Sequence, residues 1–233
     1  GMGALQQAYG YPQRQAELLT KHAKQSGLPC LKALDIGCSV GGASFKLAEN
    51  FQSVVGIDLS SSFIQTAQKL KEGSVINYYQ KKEGELGREN TVQMELPFDI
   101  LNRVEFKQMD ACCLSPDFVE FDAVLISNVL DRLPSPKSVL GRMSGPKGIL
   151  KIGGLLMVAS PYSWNSQFTP PELWLGGCCD ADGKELNSVD GLKKAVGPDF
   201  ALVSESEQPL IIRDHDRKSS LILSHTTIWR RIK

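Results

Sequence analysis

The chain has no apolar run long enough to cross a membrane. Its longest apolar stretches, such as LLMVA at Leu155 to Ala159, fall far below the roughly 20 residues that a span needs. It also lacks an excess of either charge. Lysine plus arginine and aspartate plus glutamate both number 26, and the basic residues occur as scattered pairs such as Lys81-Lys82 and Arg230-Arg231. That leaves no basic footprint for nucleic acid, so neither a nucleic acid nor a membrane is the expected partner. Histidine is scarce, and none of the six cysteines forms a C-x-x-C pair, which removes the usual zinc spacings and leaves no metal site to expect. The first residues lack the apolar core of a signal peptide. Reduced thiols and a cytoplasmic location are the matching expectation. No linker or composition shift divides the 233 residues, so one domain is expected over 1–233.

What the chain does have is LDIGCSVGG at Leu34 to Gly42, followed by the aspartate of VVGIDLS at Asp58. Ala33 to Ile36 is a short apolar run suited to a buried parallel strand. Gly37, Ser39, Gly41 and Gly42 then turn the chain into a helix, whose N-terminus offers unpaired N–H groups to a ligand. Asp58 ends the next strand 21 residues after Gly37, at the same mouth of the sheet, where a carboxylate can accept both ribose hydroxyls.

Two cofactor classes use this layout. A nicotinamide fingerprint wants glycine at 37, 39 and 42; the S-adenosylmethionine version wants glycine at 37, 39 and 41, with an acid two residues earlier. Both lose the middle glycine to Ser39. Asp35 favours the second, because a carboxylate there can meet a methionine amino group but would repel a pyrophosphate. Cys38, Leu59 and Phe63 complete the expected cofactor turns, with Cys38 a small residue chosen for fit.

The alternation of strands and helices continues. Ser60 is the expected N-cap of a helix with Phe63, Ile64, Ala67 and Leu70 at helical spacing. Val104 to Met109 is a third strand that delivers Asp110-Ala111 to the ligand edge, where the aspartate can take an adenine amino proton. Phe121 onward supplies a fourth strand, with Asn128, Asp131 and Arg132 just past its end. A helix from Ser135-Pro136 to Gly153-Gly154 precedes a fifth strand, Gly153 to Trp164. Ser188 to Val196 reads as a short helix, Ala201 to Glu205 and Leu221 to Trp229 as strands, and the segment between them as a hairpin with a polar tip. Residues 1–30 read as an N-terminal helical cap, with Ala16, Leu19 and Ala23 facing inward. The stretches 73–103 and 163–183 read as insertions, either lids over the substrate or plain surface excursions.

LDIGCSVGGASF, NVLDRL, SPYSW, WLGG and the IRDHDRKSS…TIWRR ending together resemble the methyltransferase domain of ovothiol biosynthesis, from about Asp35 to the C-terminus. The resemblance implies a Rossmann-like class I α/β fold: a mostly parallel seven-stranded sheet with an antiparallel C-terminal strand and helices on both faces. It implies S-adenosylmethionine as cofactor and N-methylation of the imidazole of mercaptohistidine. In that family the domain is often fused behind an iron-dependent sulfoxide synthase, whose histidine ligands have no counterpart in this chain, so a separate synthase is a possible partner.

For such an acceptor, Asp131 is expected to accept the N–H of the ring nitrogen that is not methylated, as carboxylates do for histidines in hydrolytic triads. Arg213 or Arg132 can bind the amino-acid carboxylate with a two-pronged grip, and Tyr162 and Trp164 can wall the ring. Surface pairing for Arg132, and a core position for Trp164, are equally open. His215 reads as a solvated hairpin-tip residue, and His22 and His225 as structural. Methylation of another small molecule and a cofactor-binding module without catalysis stay open beside this reading.

Overall fold

The computed structural model describes residues 8–180 and 182–233. Thus residues 1–7 of the expected N-terminal cap, and residue 181 of the second insertion, lie outside the described residues. In chain order the elements are α1 (Tyr11–Gln25), β1 (Lys32–Ile36), α2 (Gly42–Ala48), β2 (Ser53–Asp58), α3 (Ser61–Lys71), β3 (Ile76–Glu83), β4 (Leu86–Val92) and α4 (Phe98–Leu101). They continue with β5 (Val104–Gln108), β6 (Phe121–Ser127), α5 (Pro136–Gly141), β7 (Leu150–Ser160), β8 (Cys178–Cys179), β9 (Glu185–Leu186), α6 (Ser188–Val196), β10 (Phe200–His215) and β11 (Lys218–Arg231).

Seven strands form one sheet in the order β10-β11-β7-β6-β1-β2-β5. The pairs among β5, β2, β1, β6 and β7 are all parallel, and β11 runs against both β7 and β10. The expected Rossmann-like topology with one antiparallel C-terminal strand is therefore present. The strands β1 and β6 are apolar and almost wholly buried because both sheet faces are covered. On one face α1, α2 and α3 bury Leu19, Phe45, Phe51 and Ala67. On the other α5 and α6 bury Leu140, Leu192, Phe121 and Trp229.

The helix after Ser60 forms as its sequence indicates, with the Ser60 hydroxyl accepting from the Phe63 amide at 3.3 Å. The helix after Ser135 does not. It stops at Gly141, and Gly145, Pro146 and Gly148 explain why, since each weakens or blocks a continuing helix. Gly153-Gly154 lies inside β7, at a register shift opposite β6, with Gly153 at φ 85.

The polar stretch 73–103 folds into the β3–β4 hairpin, which makes a separate two-stranded sheet. It leans on the far end of the β10–β11 hairpin: the Gln80 amide donates to Asp216 at 2.8 Å, and Arg217 stands 3.5 Å from Glu83. β10 and β11 are far longer than expected, because the strands run through the segment read as a hairpin loop and leave only Asp216-Arg217 between them. Among the described residues no helix is long and apolar enough to cross a membrane.

Candidate functional site

The carboxyl ends of β1, β2, β5, β6 and β7 share one edge, so the segments that follow them form a common mouth. After β1 the chain turns through Gly37 at φ 77, Ser39 at φ 51 and Gly41 at φ 91. A Cβ on Gly37 would lie 2.1 Å from Val129 Cγ2, and one on Gly41 would lie 2.5 Å from the Phe106 ring. Both glycines are thus required by clearance as well as by backbone. Ser39 adopts the left-handed conformation that the absent glycine would take, and its amide donates to Asp58 Oδ2 at 2.9 Å. Asp58 Oδ1 accepts from the Ser60 amide at 2.9 Å, so each carboxylate oxygen holds one backbone N–H and keeps a lone pair.

A cleft of about 440 Å³ opens beside this turn, with Gly37, Asp58, Leu59, Phe63, Asp110, Ala111, Asn128 and Arg132 in its lining. Leu59 and Phe63 are 70% and 45% exposed, which leaves apolar surface free to take a flat ring. Asp110 Oδ1 accepts from the Cys112 amide at 2.8 Å. Asn128 has φ 55, its carboxamide oxygen accepts from Tyr11 at 3.3 Å, and it also meets the Ser224 hydroxyl. Asparagine is one of the few non-glycine residues that tolerate this left-handed backbone. Cleft size, the bare glycine wall, the two-oxygen carboxylate and the exposed apolar pair together fit an adenosyl group.

Four of the expected cofactor residues do not reach this cleft with their side chains. Asp35 is 2% exposed and lies beneath the turn, accepting from Ser44 Oγ at 2.6 Å. Burial, with a further contribution from Asp58, pushes its carboxyl up to about 6, although the Ser44 bond opposes this. Its Oδ2 is thus engaged by Ser44 beneath the turn. The Cys38 thiol points into the core, where burial raises its pKa. Ser39 and Gly41 shape the turn through their backbone.

Past β6, the side chains of the NVLDRL segment diverge. Arg132 turns to the cleft, stacks over Phe168 at 5.1 Å and donates to the Ser163 carbonyl at 2.6 Å. Asp131 turns inward and is 1% exposed. Its Oδ1 accepts from Ser160 Oγ at 3.3 Å, while its Oδ2 has no hydrogen-bond partner among the described residues and stands 3.7 Å from Arg132. Ser160 Oγ in turn accepts the Tyr162 amide at 3.0 Å.

Tyr162 has φ 53, and its hydroxyl lies 2.7 Å from His225 Nδ1. His225 Nε2 lies 2.9 Å from Glu205 Oε1. Burial and then the charges of Glu205, Glu207 and Asp131 push the Tyr162 phenol up, so it keeps its proton. His225, read from the sequence as structural, is thus bonded to an expected site residue. The signal lies in the register of the β10–β11 hairpin, which sets Glu207 opposite His225 and Glu205 two pairs further on.

Trp164 and Arg213 stand apart from the cleft. Trp164 stacks on Trp174 with centroids 6.2 Å apart and donates to Ser188 at 2.8 Å, which anchors the segment 163–183 to α6. Arg213 is carried off by the extended β10. It lines a second hollow of about 480 Å³ between the two hairpins, with Tyr9, Tyr78, Tyr79 and His215. Of the two stretches read as insertions, only 163–183 reaches the cofactor cleft, through Phe168.

Comparison with known proteins agrees with this geometry. A family model described as "Methyltransferase domain" matches residues 34–156, just over half of the chain. Phosphoethanolamine N-methyltransferase 3 from Arabidopsis thaliana is 55% identical over 40 residues, 17% of this chain and 8% of that protein. A ubiquinone biosynthesis O-methyltransferase from Actinobacillus pleuropneumoniae serotype 7 (strain AP76) is 27% identical over 139 residues, 59% of this chain and 48% of that protein. The chain thus spans about half the length of that relative. The N-methyltransferase NodS from Bradyrhizobium japonicum WM9, solved with S-adenosyl-l-homocysteine, shares the fold with a TM-score of 0.55 and 16% identity, over 94% of this chain and 86% of that one. The family match favours the S-adenosylmethionine layout over the nicotinamide one. With the glycine turn, the Asp58 carboxylate and the sheet order all in place, the chain belongs to the methyltransferase domain family, as a class I enzyme that uses S-adenosylmethionine.

Proposed function

We propose that the chain transfers a methyl group to an imidazole nitrogen of mercaptohistidine, the step that the SPYSW, WLGG and C-terminal motifs resemble. The observation that carries this reading is Asp131, a carboxylate buried at the mouth with one oxygen lacking a hydrogen-bond partner. A buried, half-satisfied carboxylate is costly, and a ring N–H on the acceptor would complete it.

In this reading Asp58 accepts the ribose hydroxyls with the lone pair left on each oxygen, and Asp110 accepts the adenine amino group. Leu59 and Phe63 cover the base, while Asn128 and the Gly37 turn flank the donor. When bound, S-adenosylmethionine supplies a methyl group on a cationic sulfur, whose bond breaks with the electron pair staying on sulfur as the acceptor nitrogen forms the new N–C bond. The chain's own task is alignment, because the thiolate of the acceptor is the softer nucleophile and orientation must override it. Asp131 holds the ring through the nitrogen that is not methylated. Arg132 is engaged only through Nη1 by the described residues, which leaves its other nitrogens to grip the acceptor carboxylate. Phe168 and the segment 163–183 form the cover on that side.

A sulfoxide synthase that supplies the thiolated histidine is the partner this reading implies. Six cysteines without disulfides fit a cytoplasmic setting. A second reading, methylation of another small acceptor, draws support from the sequence relation to an O-methyltransferase. Purified protein with labelled S-adenosylmethionine and a panel of histidine derivatives separates the two. Label on mercaptohistidine nitrogen is expected; label on histidine but not on its thiol derivative overturns the proposal.

A further inference from the structure

The Tyr162 hydroxyl has only one hydrogen, and the His225 ring 2.7 Å away is its nearest acceptor. The His225 hydrogen bond, more than any other influence, holds the Glu205 carboxyl below the ordinary glutamate range, so Glu205 is ionised and only accepts. His225 Nε2 therefore carries the ring hydrogen and donates to Glu205 at 2.9 Å. In the ring tautomer with its hydrogen on Nε2, Nδ1 offers a lone pair to the Tyr162 hydroxyl 2.7 Å away. The phenol oxygen then faces its surroundings as an acceptor alone.

Those surroundings are anionic. Glu205 and Glu207 from β10 and Asp131 from the turn after β6 all act on the Tyr162 hydroxyl. Lys193 of α6 is 3.5 Å from Glu205, whereas Glu207 has no ion pair among the described residues. Asp131 is 1% exposed with Oδ2 unpartnered, and Glu205 and Glu207 open to solvent. An acceptor oxygen among three carboxylates that outnumber the cations Lys193 and Arg132 suits a donor with several hydrogens and a positive charge.

On the reading of the acceptor as an amino acid given above, we propose that Tyr162 and Glu207 form a subsite for its α-ammonium group, with His225 and Glu205 as positioning residues that lock the Tyr162 hydrogen out of the way. The ring N–H on Asp131, the carboxylate on Arg132 and the ammonium on Tyr162 then fix three points of one substrate. Three points suffice to set which ring nitrogen faces the donor.

The test compares mercaptohistidine with its deaminated analogue, the mercaptoimidazole propionate, in wild type, Y162F, E207Q, H225Q and E205Q. In wild type the amino acid should have a KM about tenfold to a hundredfold below that of the analogue. Y162F and H225Q should erase most of that gap by raising KM for the amino acid, with affinity for S-adenosylhomocysteine unchanged, and E207Q and E205Q should narrow it. Loss on both acceptors alike, or a gap that survives in Y162F and H225Q, overturns the subsite. If wild type methylates neither compound, the acceptor reading fails. The subsite is then judged by calorimetry with histidine against imidazole propionate: tighter histidine binding that Y162F abolishes upholds it, and equal or absent binding overturns it.

Discussion

Strand β6 has a buried aspartate near each end, and the two are satisfied very differently. Asp122, at the amino end, is 1% exposed; its Oδ2 accepts from the Leu31 and Lys32 amides at 2.7 and 2.9 Å, and its Oδ1 meets the Lys151 ammonium. Asp131, just past the carboxyl end, is equally buried but has only the Ser160 hydroxyl and a cation 3.7 Å away. At one end two backbone amides and a close cation hold the carboxylate, and at the other a single hydroxyl and a more distant cation. The more weakly held carboxylate marks where a ligand belongs.

Mutating the two aspartates should therefore produce opposite results. D122A removes the acceptor for two backbone amides and a buried ion-pair partner, and should cost on the order of 3 kcal/mol of folding stability in denaturant melts. Its folded fraction should keep normal kcat. D131N should stay within about 1 kcal/mol of wild type, yet lose about a hundredfold or more in kcat on the acceptor. Large stability loss in D131N, with activity intact, would erase the contrast between the ends.

Next in size is Asp58, which joins both roles. D58A should weaken S-adenosylhomocysteine binding about tenfold to a hundredfold by calorimetry, since it loses charge-assisted contacts to the ribose. Asp35 sharpens the contrast through pH. The folded chain keeps a proton on Asp35 between the ordinary value of 3.8 and about 6, where the unfolded chain has lost it. This group thus adds stability in acid, and the stability is lost as pH rises through that window. Cofactor affinity should run the other way: the ionised carboxylate attracts the cationic donor, so S-adenosylmethionine binding should weaken below pH about 6. D35N should flatten both profiles. The smallest effect is expected for S39G, which relieves a left-handed φ of 51 and should add up to about 1 kcal/mol of stability without changing kcat.

Much of the mouth was legible in the sequence because βα units place strand ends on a common edge. Asp58, Asp110, Asn128 and Arg132 follow from the strand pattern alone, and Ser60 names its helix. Burial was harder to read. Asp35 and Asp58 look alike as strand-end acids, and only packing under Gly56 and Ser44 sets one below the turn. Arg213 looked near the site because its segment read as a loop, whereas continued pairing with β11 carries it away. Tyr162, His225 and Glu205 come together only through antiparallel register between three strands, a relation that spacing along one segment does not encode. The β3–β4 hairpin was hidden by its polarity: nearly all its side chains are exposed, so it lacks the alternation that marks a half-buried strand.

The position of β10 at the rim has a further consequence. A strand of 16 residues on the outer side of a sheet invites another chain to add itself there, and aggregation begins that way. Pro209 removes one donor from that rim, Arg14 covers the backbone beside it, and the Ile211 amide is spent on the Ala8 carbonyl at 3.3 Å. Glu205 and Glu207 add repulsion along the same stretch. The two glutamates are thereby tied to solubility as well as to chemistry, and neutralising both at once should show itself first as light scattering during refolding.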